Sequence, residues 1–200
     1  MFDTAEYIGV IAFGISGFLV GVKNRLDMLG ILISVYLTAF GGGLIRDTIV
    51  HKTPYAFSKS SVAIVLFLLY LLMLLLKVYK RTDIENRAWF IVSDSIGLVS
   101  FSITGALIAL DANYNLLGVL TLSFLTAVGG GIARDIIINE VPFIFKTGFY
   151  GSVALIVGLF IYLLNSIGIL NNFTLIVLFF VGVFIRIVAF YKKWNLWIPR

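Results

Sequence analysis

Apolar residues form seven long runs along this chain, and short polar segments separate them. The runs cover approximately residues 5–22, 28–46, 60–79, 90–110, 116–134, 148–165 and 172–192. Each run is close to the ~20 residues that a helix needs to cross ~30 Å of hydrocarbon. The runs are too long for the strands of a membrane barrel, and they do not alternate between polar and apolar positions. The pattern therefore predicts an all-α integral membrane protein with seven transmembrane helices.

The chain also repeats itself. The stretch Thr38–Asp47 reads Thr-Ala-Phe-Gly-Gly-Gly-Leu-Ile-Arg-Asp, and Thr126–Asp135, 88 residues further on, reads Thr-Ala-Val-Gly-Gly-Gly-Ile-Ala-Arg-Asp. With the same offset of 88 residues, glycines in the first copy correspond to glycines in the second, a proline corresponds to a proline, and an acidic residue corresponds to an acidic residue. These pairs are Gly9 with Gly97, Gly17 with Gly105, Gly30 with Gly118, Pro54 with Pro142, and Glu6 with Asp94. Such matches indicate an internal duplication, because glycine and proline rarely coincide by chance in an apolar chain.

The offset divides the chain into a first repeat of about residues 5–80 and a second of about 90–166. A seventh helix over about 172–192 has no counterpart. Three spans per repeat is an odd number, so the two copies insert with opposite orientation. We therefore expect a single transmembrane domain over residues 1–200, built as an inverted 3+3 repeat plus a seventh helix. In transport proteins of this design, the pathway lies near the midplane between the repeats.

Composition excludes several classes of function. The chain is 60% hydrophobic and 12% charged, with no cysteine and one histidine, which excludes thiol catalysis and cysteine-based metal sites. No Ser-His-Asp, HExxH or P-loop pattern is present. The net charge of +5 resides in short segments between apolar runs, which indicates control of membrane topology rather than nucleic-acid binding. We expect no enzymatic activity, no cofactor, no resident metal and no nucleic-acid partner.

Lys and Arg residues predict the orientation, because they are enriched in cytoplasmic loops. The segments after spans one, three, five and seven carry Lys23, Arg25, Lys77, Lys80, Arg81, Arg87, Arg134, Lys146, Lys192, Lys193 and Arg200. The opposite side carries Arg46, Lys52 and Lys59, and Arg186 lies within the last span. This bias predicts an outside N-terminus and a cytoplasmic C-terminus.

Two glycine triplets, Gly41-Gly42-Gly43 and Gly129-Gly130-Gly131, lie inside predicted spans. One interpretation is close helix packing through small residues. Three consecutive glycines point around the helix rather than along one face, however, and each weakens it by roughly 1 kcal/mol relative to alanine. We therefore favour sites where the helices kink beside a conduction path.

An Arg-Asp pair follows each triplet. Helical neighbours do not face each other, so Arg46 need not pair with Asp47, nor Arg134 with Asp135. Snorkelling to the interface, with the aspartate as a local cap, stays open. Each arginine follows the last glycine by one helical turn, where it either binds the carbonyls of a broken turn or lines a constriction.

Further polar residues are candidates for lining a path. Asp94 is either a pore residue or a helix N-cap at the start of the fourth span. The candidate hydroxyls are Ser16, Thr38, Thr104 and Thr126. Each of these hydroxyls has an alternative role, which is to donate to a carbonyl of its own helix.

The duplicated Thr-Ala-x-Gly-Gly-Gly-x-x-Arg-Asp motif, the proline after each copy and the unpaired seventh span resemble the prokaryotic TRIC (trimeric intracellular cation) channel family. That family is also labelled a glycine-transporter-like membrane domain. The resemblance implies a homotrimer in the plasma membrane, with one pore per subunit between the two three-helix units. It implies permeation of K⁺ chiefly and also Na⁺, bound only transiently. It also implies kinks at both glycine triplets and a gating role for Arg46 and Arg134.

Two other hypotheses remain at this point. One is a carrier of a small zwitterion such as glycine, whose carboxylate and ammonium would bind at the broken helices. The other is a purely structural membrane protein. A channel is favoured over a carrier because no coupling-ion carboxylate is evident at mid-depth in both repeats.

Overall fold

A computed structural model describes residues 2–80, 87–146 and 149–194, without the side chain of Arg87. Within these ranges every regular element is helical. The helices are α1 (Phe2–Lys23), α2 (Met28–Ile49), α3 (Tyr55–Ser58), α4 (Ser60–Leu75), α5 (Arg87–Asp111), α6 (Leu116–Ile137), α7 (Phe143–Lys146), α8 (Gly151–Ser166) and α9 (Asn172–Tyr191). A 3₁₀ turn, Val78–Lys80, follows α4. Arg81 and Arg200, which entered the orientation argument, lie outside the described residues, as does the side chain of Arg87.

Five of these helices, α1, α2, α5, α6 and α9, are long and apolar enough to cross a membrane. The predicted spans 60–79 and 148–165 appear as α4 and α8, which have 16 residues each, or about 24 Å. Each is preceded by a four-residue helix, α3 or α7, that the sequence argument did not predict. Pro54 and Pro142 directly precede these short helices, because proline fixes a φ suited to a helix start and needs no hydrogen bond there.

Four helices form the centre of the fold: α1 packs against α2 and α5, and α6 packs against α2 and α5. Reciprocal contacts join α1 to α5, since Phe13 lies against Gly97 and Phe101 lies against Gly9. The two rings also meet, with centroids 5.2 Å apart. Each glycine therefore provides the space that a phenylalanine of the opposite helix fills.

The ends of α2 and α6 are built alike. Asp27 accepts a hydrogen bond from the Gly30 N–H at 2.7 Å, and Asn115 accepts one from the Gly118 N–H at 3.0 Å. These side chains satisfy amides that the first turn of each helix leaves unpaired. The result is that both helices begin at a fixed residue, which sets the depth of the motifs further along.

The remaining helices surround the central four. α4 packs against α1, α8 packs against α5 and α6, and α9 packs against α5 and α8. Most residues of α9 are not buried inside the chain. Lys52 at the end of α2 pairs with Asp111 at the end of α5 at 2.5 Å, so these two helix ends lie at the same end of the bundle.

Candidate functional site

The two glycine triplets lie where α2 crosses α6. A Cβ on Gly41 would lie 2.9 Å from Gly130 Cα, and a Cβ on Gly129 would lie 3.5 Å from Gly42 Cα. Cβ atoms on Gly42 and Gly130 would collide with the carbonyl oxygens of Thr126 and Thr38, respectively. Both helices continue as α-helix through the triplets. Two glycines of each triplet therefore serve close helix packing.

The third glycine of each triplet has a different environment. A Cβ on Gly43 would meet Glu6 Oε1 at 3.5 Å, and a Cβ on Gly131 would meet Arg134 Nη2 at 3.8 Å. These are ordinary contacts with charged side chains rather than with the other helix backbone. The third glycine thus leaves space for the charged groups that follow it.

We call Glu6, Arg46 and Asp47 the first cluster. Arg46 donates from Nη1 to Glu6 Oε2 at 2.8 Å and from Nη2 to Glu6 Oε1 at 3.1 Å. It also donates from Nε to Asp47 Oδ1 at 2.7 Å and from Nη1 to Thr104 Oγ1 at 3.0 Å. Arg46 is completely buried. The first cluster therefore joins α1, α2 and α5 through one guanidinium.

We call Asp94, Arg134 and Asp135 the second cluster. Arg134 donates from Nε to Asp135 Oδ1 at 2.9 Å and from Nη1 to Thr38 Oγ1 at 3.3 Å. Asp94 accepts instead from Tyr150 Oη at 3.2 Å and from Ser16 Oγ at 3.4 Å. The position of Asp94 corresponds to that of Glu6, but its carboxylate does not reach the motif arginine.

Each motif aspartate holds the short helix that follows it. Asp47 Oδ2 accepts a hydrogen bond from the Tyr55 N–H at 2.8 Å, and Asp135 Oδ2 accepts one from the Phe143 N–H at 2.8 Å. One carboxylate thus binds its neighbouring arginine and a backbone amide eight residues later. The adjacent Arg and Asp do pair, although helix geometry does not require it, because the long arginine side chain folds back toward its neighbour.

A third buried arginine, Arg186 of α9, lies beside the second cluster. Its Cζ lies 4.9 Å from the centre of the Tyr150 ring and 5.7 Å from that of Phe190. The residue is only 1% exposed. Among the described residues, its Nε and Nη2 have no hydrogen-bond partner, and neither does Asp94 Oδ2.

The candidate hydroxyls connect to both clusters. Thr38 donates to the Ser34 carbonyl at 2.6 Å and Thr126 to the Leu122 carbonyl at 2.6 Å, as the alternative interpretation expected. Thr38 also accepts from Arg134, as described above, so its hydroxyl has both roles. Thr104 and Ser16 contact Arg46 and Asp94, respectively. All four hydroxyls are buried.

Three alternatives from the sequence do not match this geometry. Arg46 and Arg134 are buried among protein groups rather than snorkelling outward, and they bind carboxylates and hydroxyls rather than carbonyls. Asp94 lies inside α5, which begins at Arg87, so it is not the N-cap of that helix. The sequence analysis did not identify Tyr150 as a site residue, because the position 88 residues earlier in the first repeat is the apolar Val62.

A small cavity borders the first cluster. It lies between α1, α2 and α3, and Glu6, Gly43, Asp47 and Tyr55 contribute to its lining. No group of His, Cys, Asp and Glu suited to holding a metal occurs within residues 2–80, 87–146 and 149–194. The polar atoms at the cavity are therefore carboxylates already engaged by Arg46, not a ready metal centre.

Comparison with known proteins relates this geometry to one family. The family model described as "Glycine transporter" matches residues 3–77 and again residues 91–166. The chain is 35% identical over 195 residues to the UPF0126 membrane protein YvgT of Bacillus subtilis, covering 97% of this chain and 94% of the relative. It is 31% identical over 155 residues to the UPF0126 inner membrane protein YadS of Escherichia coli K12, covering 77% and 74%.

Solved structures of TRIC channels share the fold of this chain. A chain solved to explain conductance through TRIC cation channels superposes with a TM-score of 0.87 at 33% identity, covering 100% of this chain and 98% of that one. A prokaryotic TRIC channel in 0.5 M KCl gives a TM-score of 0.87 at 26% identity, covering 98% of both chains. The fold is thus that of the prokaryotic TRIC channels, and the chain belongs to the glycine transporter family together with the UPF0126 membrane proteins.

Proposed function

We propose that this protein is a channel permeable to monovalent cations, to K⁺ and also to Na⁺. The observation that carries the proposal is the buried polar system at the α2–α6 crossing. It holds two arginines, each bound to a carboxylate, within a fold that superposes over its full length on TRIC cation channels. Charged groups within a membrane protein are costly and mark ion pathways by default.

The path runs between the two repeats, past the glycine crossing, with the first cluster toward one end and the second toward the other. Buried arginines would repel cations if they were unpaired. Here Glu6 and Asp47 neutralise Arg46, and Asp135 neutralises Arg134. The hydroxyls of Ser16, Thr38, Thr104 and Thr126 supply oxygen ligands between the clusters. Bending of α2 and α6 at the glycines, with movement of Arg46 and Arg134, opens this path.

The repeats are inverted copies in this proposal. Support comes from one family model that matches two segments whose first residues, 3 and 91, are 88 apart. Reciprocal contacts support it too, because Phe13 on Gly97 and Phe101 on Gly9 exchange under that offset. α4 and α8 then complete the seven spans despite their shorter length.

The names of the same relatives support a proposal for the assembly and the location of the protein. The name TRIC denotes a trimer, and we propose a homotrimer with one pore in each subunit, surrounded by lipid. The relative YadS is an inner membrane protein by name, which supports location in the plasma membrane. The Lys and Arg bias supports an outside N-terminus and a cytoplasmic C-terminus. Native mass spectrometry from lipid nanodiscs would measure the subunit number, and a dimer or monomer would overturn the trimer.

The test is current in a planar bilayer containing the purified protein. With a KCl gradient, a cation channel gives a reversal potential close to the K⁺ equilibrium potential, and replacing K⁺ with Na⁺ preserves a current. A reversal potential near that of Cl⁻, or silence from protein shown to be folded by circular dichroism, would overturn the proposal.

The alternative of a zwitterion carrier is not favoured, since the structural neighbours are cation channels. The same preparation distinguishes the two. A carrier would take up labelled glycine with saturation and without unitary currents, whereas a channel shows unitary currents and no glycine saturation. No enzymatic activity forms part of the proposal.

A further inference from the structure

α9 lies outside both segments that the family model matches, yet it contributes a deeply buried charge. Gly182 lies one turn before Arg186, where α9 packs tightly against α5 and α8. A Cβ at this position would lie 3.0 Å from a methyl carbon of Val99 and 3.2 Å from one of Val157. The small residue lets α9 approach α5 and α8 closely. Arg186 is consequently held inside the protein, although most residues of α9 are not buried.

Aromatic rings, not a carboxylate, hold the Arg186 guanidinium. Its Cζ lies over Tyr150 at 4.9 Å, and Tyr150 in turn donates its hydroxyl to Asp94 at 3.2 Å. No direct salt bridge joins Arg186 to Asp94 within the described part of the chain, but the Tyr150 side chain contacts both groups. The guanidinium thus keeps its positive charge beside the second cluster without forming a closed ion pair.

The formal charges of the two clusters then differ. Glu6 and Asp47 against Arg46 leave the first cluster with one net negative charge. Asp94 and Asp135 against Arg134 would leave the second cluster with the same charge, but Arg186 cancels it. The exposed pairs near the two clusters, Asp3 with Lys59 and Glu140 with Lys146, are each neutral and do not change this difference.

Resting on the cation channel proposed above, we infer that Arg186 makes the path electrically asymmetric, so that cations enter more readily from the Glu6 end than from the Asp94 end. A net negative charge raises the local cation concentration at its own end of a path. The rectification of the channel is therefore determined by a residue of α9, which lies outside both repeats. Arg186 acts through its charge on the electrostatic potential at one end of the path and does not bind the ion itself.

The test is the ratio of currents at equal positive and negative voltages in symmetric KCl. Arg186→Gln gives both clusters the same formal charge, so we expect the ratio to move toward one, by about twofold for a unit charge acting over ~10 Å at ε ≈ 80. Lys192→Gln removes the same charge from the exposed end of α9 and is the matched control. Its effect should disappear in ~1 M salt, where the Debye length is about 3 Å, while the Arg186→Gln effect persists.

The orientation of each channel in the bilayer has to be known. The chain has no cysteine, so Thr53→Cys in the exposed loop before α3 gives a single site for biotin at the Glu6 end. Streptavidin added to one chamber then identifies the side. This label makes the sign of rectification, and not only its size, a measured quantity.

A charge-neutral double variant separates charge from structure. Asp94→Asn with Arg186→Gln leaves Arg134 and Asp135, whose charges cancel as the four groups cancel in the wild type, so rectification should return to the wild-type ratio. If the double variant rectifies like Arg186→Gln alone, or if Arg186→Gln leaves the ratio unchanged while the wild type conducts, the inference is wrong. Absence of current from the wild type would instead contradict the proposed channel itself.

Discussion

Glu6 and Arg46 form a two-point pair, in which each carboxylate oxygen accepts from a different guanidinium nitrogen at 2.8 and 3.1 Å. The pair lies 40 residues apart in sequence and joins α1 to α2 in a buried position. In the second cluster the equivalent acid is Asp94, one methylene shorter, and it binds Tyr150 and Ser16 instead of Arg134. The first cluster is therefore a closed ion pair, whereas the second is an open polar network.

The closed pair should contribute measurably to stability. Glu6→Gln leaves Arg46 buried with weaker acceptors, and removing one partner of a buried pair costs about 3–5 kcal/mol. The free energy of unfolding, from denaturant titration in detergent micelles, would fall by that amount. Asp3→Asn on the same helix is the control, because its pair with Lys59 is exposed and water screens such pairs, so its loss should change stability little. Equal losses in the two variants would contradict the importance of the closed pair.

The glycine triplets give a prediction with an internal control. Gly42→Ala places a methyl group against the Thr126 carbonyl, and Gly130→Ala places one against the Thr38 carbonyl. Backbone atoms cannot move aside as a side chain does, so overpacking at the crossing should cost about 1–3 kcal/mol and lower the melting temperature. Gly131→Ala has no contact closer than 3.8 Å, so its effect should be small.

Melting of the three variants in one detergent, followed by circular dichroism, compares them directly. If Gly131→Ala destabilised the protein as much as Gly42→Ala, close approach of the two backbones would not explain the glycines, because alanine is the better helix former and should not destabilise an open helical site. If Gly42→Ala melted like the wild type, the crossing would be looser than described here. The same variants in the bilayer assay then connect packing at the crossing to current.

The sequence was sufficient for the all-helical class, the duplicated motif and the candidate charges, because glycine, proline and ionisable residues stand out in an apolar chain. It was not sufficient for their partners. The contact of Arg46 with Glu6 depends on how α1 packs against α2, and that of Arg186 with Tyr150 depends on where α9 lies. Neither relationship leaves a local pattern. The short helices α3 and α7 were missed because four residues are too few to show a helical period.

The motif aspartates should control the order of the short helices. Asp135→Ala removes the acceptor for the Phe143 N–H, and Asp47→Ala removes the acceptor for the Tyr55 N–H. Losing this acceptor costs about 1 kcal/mol at the short helix, in addition to the loss of overall stability from breaking the buried pair with the adjacent arginine. Hydrogen exchange followed by mass spectrometry should show faster exchange in peptides over residues 143–146 or 55–58, respectively, by roughly fivefold.

Each aspartate variant serves as the control for the other, because α3 and α7 are held by different aspartates. Asp135→Ala should leave exchange over residues 55–58 unchanged, and Asp47→Ala should leave exchange over residues 143–146 unchanged. If exchange over the short helix after the substituted aspartate increased no more than exchange in the long helices, the aspartate would act only through its arginine on the whole fold. That outcome would contradict a local capping role.

Tyr55 gives a pH-dependent prediction outside the long helices. Burial raises the pKa of the Tyr55 phenol to about 12, and its hydrogen bond to Asp3 at 2.7 Å acts in the same direction. The folded state thus holds this proton more tightly than the unfolded chain, whose tyrosine pKa is about 10. The stabilisation is fully present below pH ~10 and is lost as the pH rises toward ~12. Tyr55→Phe should remove this part of the pH dependence of unfolding. The phenolate absorbance of wild type minus Tyr55→Phe should have a midpoint near pH 12, and a midpoint near that of a free tyrosine amide would refute the raised pKa.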